Sequence, residues 1–161
     1  MAIITESYDL DNVADIKNEE IIILPTYIEE STRRSIYTKE TISLIKYLKI
    51  NSLNISLSES NIENILYQDN KSIDWISPII FVGNAIITNP EAVKLLIDLV
   101  ISYVSEKFSH SPKCKSKCSF VYEDKKSENT YKKITYEGDI SGLEEVKNIL
   151  SSIKDEWDYF K

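Results

Sequence analysis

Arg33 and Arg34 are the only arginines in the chain, and they stand side by side in LPTYIEESTRRSIY, from Leu24 to Tyr37. A guanidinium is a planar fork of donors that matches a phosphate or carboxylate bidentately, and Ser31 or Thr32 could add hydroxyl contacts. Glu29, Glu30, Arg33 and Arg34 are therefore the candidate ligand- or partner-binding residues. The same four side chains can instead pair at i,i+4 on a solvated surface, worth roughly 0.3 kcal/mol per pair.

HSPKCKSKC, ending at Cys118, has the residue types of a zinc or redox site. Pro112 interrupts any helix there, and an extended chain would hold Cys114 and Cys118 about 13 Å apart, too far for one metal ion or a disulfide. Cys118 is expected to be a small core residue on the face of Phe120, with Cys114 in the approach to that strand. His110, the single histidine, would have to be the base of any Ser or Cys triad, yet no GxSxG elbow exists and it reads as an exposed loop residue. Asp69 and Asp74 lack the spacing of a metal-binding DxD and read as loop acids, with Trp75 and Pro78 anchoring their loop. Gly83, Gly138 and Gly142 are too widely spaced to build a phosphate loop. No catalytic residue, metal or cofactor is assigned.

Charge narrows the partners. The formal net charge of −7 argues against wrapping a phosphate backbone or coating an anionic membrane. Residues 113–133 depart from this, being locally +4 with Phe120, Tyr122 and Tyr131 interleaved among the lysines. That pattern would suit an RNA-binding hairpin, but alternation turns Phe120 and Tyr122 away from Lys117 and toward the core, and lysine on a strand also guards against edge pairing. Nucleic acid is thus disfavoured. The longest apolar stretch, Ala92 to Val104, carries Lys94 and Asp98 and falls short of the about 20 residues a membrane helix needs. The start MAIITESYDLDN has no basic, apolar targeting pattern, which reads as cytoplasmic.

The elements that must position these residues follow from periodicity. Residues 1–18 are polar and acidic and read as an irregular arm. Glu19 to Leu24, closed by Pro25, reads as a buried strand. Thr38 can cap a helix over Lys39 to Ile50, and Leu53, Ile55 and Leu57 then alternate as a strand. Ser60 and Glu63 match a capping box, predicting a short helix over 59–68. Ile79 to Val82 reads as a third buried strand. Asn89 and Pro90 open a long helix to about Phe108, so apolar outside one polar stripe that it must be central or covered by a partner. Lys117 to Glu137 reads as a hairpin around a turn at 125–129, and Ser141 with Glu144 opens a closing amphipathic helix. The expected fold is a single α/β domain over residues 1–161: a small three-layer structure with a Rossmann-like βαβαβ first half, a C-terminal β-hairpin and a closing helix. The Arg33/Arg34 loop would then leave the carboxyl end of the first strand, where open α/β sheets place ligands.

NPEAVKLLIDLVISYVSEKF, KCSFVYEDKKSENTYKKITYEG and DISGLEEVKNIL, within residues 89–153, resemble the helix, charged hairpin and closing helix of effector-associated constant component modules, which accompany bacterial conflict systems. The resemblance implies a non-enzymatic accessory or adaptor in a bacterial defence locus. The over-apolar helix and the ten tyrosines independently favour a protein that binds a protein partner or itself. The alternative is a small-ligand or nucleotide-sensing domain, or a hydrolase, in which Arg33 and Arg34 hold a small anion.

Overall fold

The computed structural model describes residues 2–8, 21–59, 61–68, 75–107, 116–124 and 130–159. They form a mixed α/β fold with one six-stranded sheet and one three-stranded sheet. In the large sheet the strands are β1 (Ala2–Tyr8), β2 (Ile22–Leu24), β5 (Ser56–Leu57), β7 (Trp75–Gly83), β8 (Ser116–Asp124) and β9 (Thr130–Gly138), in the spatial order β1-β9-β8-β7-β2-β5. The small sheet is β3 (Tyr27–Ile28), β4 (Ser35–Thr38) and β6 (Ile65–Gln68), in that order.

Alternation of side chains sorts the large sheet into two faces. Ile23, Ile80, Val82, Cys118, Phe120, Tyr122, Ile134 and Tyr136 lie on one face and share a single core with the helices α1 (Glu40–Ile50), α2 (Ala85–Thr88), α3 (Pro90–Lys107) and α4 (Glu144–Tyr159). Ile22, Leu24, Phe81 and Val121 form a smaller cluster on the opposite face, bordered by Tyr8, Ile79 and Tyr131. All four described helices thus serve one face, and among the described residues no helix lies on the other, where the expected three-layer structure would place one. Cys118 is buried on the Phe120 face, as its alternation predicts.

The chain direction also departs from a Rossmann-like first half. β2 and β5 are parallel, making one β-α-β unit through α1, but β7 joins the other side of β2 antiparallel. A parallel third strand needs a crossover, normally helical. The helix expected over 59–68 does not form: Asn61 Oδ1 accepts from Glu63 N at 3.1 Å and caps one 3-10 turn over Ile62–Asn64, after which Ile65–Gln68 pair with β4 along its whole length. A second parallel unit links β7 to β8 through α3, and β9 closes the expected hairpin. β7 begins at Trp75 rather than after it, and its register with β8 shifts between Ile76 and Ile79, around Pro78, which cannot donate to the ladder.

Three smaller differences share a cause, the weakness of local signals beside sheet pairing. The expected irregular arm contains β1, which pairs with β9 over seven residues. Lys39, not Thr38, stands at the N-cap of α1, and the Thr38 hydroxyl lies 3.0 Å from Thr41 Oγ1. The alternating stretch around Leu53 and Ile55 is buried as expected, but only Ser56 and Leu57 are strand. By contrast, Asn89 does cap α3, its Oδ1 accepting from Ala92 N at 3.4 Å. α3 packs between α1 and α4 over the sheet, so its broad apolar surface is used internally and only Leu95 among its large apolar residues is notably exposed.

Candidate functional site

The Arg33/Arg34 segment is the turn of the hairpin between β3 and β4, with Tyr27 opposite Ile36 and Ile28 opposite Ser35. Glu29 N donates to Arg34 O at 2.9 Å and Arg33 N to Glu29 O at 2.8 Å, closing residues 29–34 on themselves. The alternative surface pairing at i,i+4 is absent, since neither arginine makes an ion pair to a described residue. The Glu29 carboxylate instead accepts from Thr32 Oγ1 at 2.7 Å, and Ser31 Oγ lies 3.5 Å from the same oxygen. The acid holds the turn, and both guanidinium groups project outward, with no ion pair to a described residue. Glu30 is likewise exposed.

Arg33 adopts φ 61°, in the left-handed region. A non-glycine residue there costs on the order of 1 kcal/mol, which glycine would avoid. The turn thus keeps an arginine where the backbone favours glycine.

Behind this turn, the small sheet has two unlike faces. Tyr37 and Ile65 point inward to the main core, and the Tyr37 hydroxyl is 3.0 Å from Ser58 Oγ and accepts from Glu59 N at 3.3 Å. Burial raises the Tyr37 pKa above that of an ordinary phenol, because the phenolate would be poorly solvated there. On the outward face Tyr27, Ile36 and Leu66 form a continuous row across the three strands. Ile36 is buried but belongs to neither core cluster, and its neighbours Tyr27 and Leu66 are 47% and 38% exposed. Tyr67, paired with Tyr37 on the other face, is 40% exposed, and Ile62 just before β6 is exposed as well. The alternation was masked in the sequence by strands of two and four residues.

A cleft of about 470 Å³ lies elsewhere, at the amino ends of β2 and β5. Leu53, Ile55 and Ala85 form its apolar floor, while Ser52, Asn54, Ser56 and Asn89 supply polar groups. Among the described residues none of its lining side chains is ionisable and neither arginine reaches it, so these residues supply no base or anion clamp. Sequence reasoning missed this cleft because its walls come from four separate elements.

His110, Cys114, Asp69 and Asp74 lie outside the described residues. Among the described residues no cluster of three or more His, Cys, Asp or Glu side chains could hold a metal ion, and no helix is long and apolar enough to cross a membrane. The positive hairpin places Phe120 and Tyr122 in the core rather than on a surface where bases could stack. No known family, curated protein or solved structure matches the chain.

Proposed function

We propose that the protein is a non-enzymatic adaptor that binds another protein through the outward face of its small sheet. The observation that carries this reading is the apolar row of Tyr27, Ile36 and Leu66, exposed at both ends and edged by the Arg33/Arg34 turn. Exposed contiguous apolar surface commonly marks interaction sites, and Tyr and Arg are the residue types that most often anchor them. Glu29 keeps its turn in shape and both arginines are exposed on it, which suits a polar rim. In this reading the locus is a bacterial conflict or anti-phage defence system, as the likeness to effector-associated constant component modules implies.

The test is co-expression with each protein encoded beside the gene, followed by affinity capture with wild type, Tyr27→Ser/Leu66→Ser and Arg33→Ala/Arg34→Ala. A neighbour retained by wild type and lost from the first variant supports the face, with the arginine variant weakening capture. Capture that ignores both variants overturns it.

A second reading, a small-ligand sensor, is favoured by the 470 Å³ cleft, whose size falls in the range of ligand sites. The uncharged side chains among its described lining residues favour a neutral polar molecule over the anion that Arg33 and Arg34 would hold. Thermal-shift screening of nucleosides against their monophosphates separates the two. Stabilisation by a nucleoside, lost in Ala92→Trp, supports the cleft, whereas a phosphate-dependent shift abolished by Arg33→Ala/Arg34→Ala restores the arginine clamp.

A further inference from the structure

The edges of the two sheets are protected unequally. β5 and β3 are two residues long and β6 is four, whereas β1 offers seven. Short strands blunt edge pairing, as do lysine and proline. β1 reads AIITESY, with neither lysine nor proline, and no described strand pairs with its outer edge. Its one carboxylate, Glu6, is held 3.2 Å from Lys133 of β9. Residues 3–7 are exposed, and Ile4 is 56% exposed.

We propose that β1 pairs antiparallel with β1 of a second copy across a two-fold axis at Thr5, joining two six-stranded sheets into one. Such an axis must pass through a residue pair, because bonded and non-bonded pairs alternate along an antiparallel ladder and symmetry maps each pair onto one of its own kind. Centring on Thr5 engages the whole strand: Ala2 faces Tyr8, Ile3 faces Ser7, Ile4 faces Glu6 and Thr5 faces its copy. Centring on Glu6 shortens the ladder and opposes two carboxylates, which is destabilising. The Thr5 register also makes the two Ile4 side chains diagonal neighbours, about 7–8 Å apart, so that each covers the other. Backbone pairing supplies affinity and the alternate side chains supply register.

This surface is separate from the partner face proposed above. The small sheet departs from β2, which is four strands from β1, about 19 Å across the sheet. Either surface can fail without the other.

Sedimentation of the full chain over a micromolar concentration series tests the dimer. Wild type is expected to show a reversible monomer–dimer equilibrium. Thr5→Lys and Thr5→Glu place like charges opposite each other at the axis and should each raise the dissociation constant about tenfold or more. An equimolar mixture of the two should re-form a heterodimer, which a folding defect could not produce. A wild type that stays monomeric across the series, a dimer indifferent to Thr5→Lys, or a mixture that fails to reassociate overturns the proposal.

Discussion

The two sheets use similar residues to opposite ends. In the large sheet, Ile23, Ile80, Phe81 and Phe120 are fully buried between helices on one side and a second apolar cluster on the other. In the small sheet, Ile36 is buried but Tyr27, Leu66 and Tyr67 remain about half exposed on short strands. Strand-forming side chains by themselves do not decide whether a sheet becomes core or contact surface. The decisive difference is cover: helices with wide apolar stripes meet the first sheet, while the outward face of the second belongs to neither described cluster. Burial stabilises in proportion to apolar area removed from water, so stability resides mainly in the first sheet, while the second leaves Tyr27 and Leu66 partly in water, where the proposed partner would bind.

The comparison breaks most sharply at Phe120. Replacing it by alanine is expected to cost about 3–5 kcal/mol, a large share of a typical domain's stability, as read from chemical denaturation. A loss below about 1 kcal/mol would mean that the large sheet is not the stabilising core.

Gly142→Ala should be the next largest. An added Cβ would collide with the Tyr136 hydroxyl, which donates to Asp139 O at 2.5 Å. Displacing that buried ring is expected to cost about 1–3 kcal/mol, measurable as a lower melting temperature, because a packed core accommodates extra volume poorly.

Alkaline titration compares the sheets at once. Burial raises the pKa of Tyr37 in the small sheet and of Tyr8 and Tyr136 in the large one, with Asp139 adding to the rise at Tyr136. A phenol whose folded pKa exceeds its unfolded value contributes fully below about pH 10, and that contribution is lost as pH rises through the folded value. Stability should therefore hold through neutral pH and fall above about pH 10, and Tyr37→Phe should make the fall shallower.

Leu66→Ser should lower stability by less than about 1 kcal/mol while abolishing partner capture, separating surface from core in one substitution. The smallest effect is expected for Lys147→Ala. Lys147 reaches Asp98 at 2.9 Å from α4 to α3, and that hydrogen bond raises the lysine pKa. The favourable pairing is complete below the unfolded lysine pKa and disappears only as pH climbs through the raised value, so at neutral pH the pair is intact. It is nonetheless exposed and screened, and the unfolding midpoint should scarcely move.

Much of the fold was legible because some signals are local. Asn89-Pro90 marks the start of α3, the spacing of Val146 and Leu150, with Leu143 in the 3-10 turn before them, marks the face of α4 that enters the core, and alternation across Phe120 and Ile134 orients the hairpin. The candidate site was legible in part. Arg33 and Arg34 do follow β2 in the chain, but they stand on the turn between β3 and β4, closed by Glu29, in a second sheet that the pattern did not announce. Two-residue strands carry too little alternation to be read, and the 59–68 segment satisfied a helix-start pattern while β4 offered four pairing positions that it took instead.

The sequence by itself determined the α/β character, the long internal helix, the faces of the hairpin and the absence of phosphate-loop and nucleophile-elbow motifs, since these depend on residue types a few positions apart. Only the tertiary structure decided that β7 runs against β2, that all four described helices cover one face, that the cleft holds neither arginine, and that Tyr27, Ile36 and Leu66 make one outward row. Those features join residues from distant strands, and pairing across such distances is set by which surfaces meet rather than by any local preference of the chain.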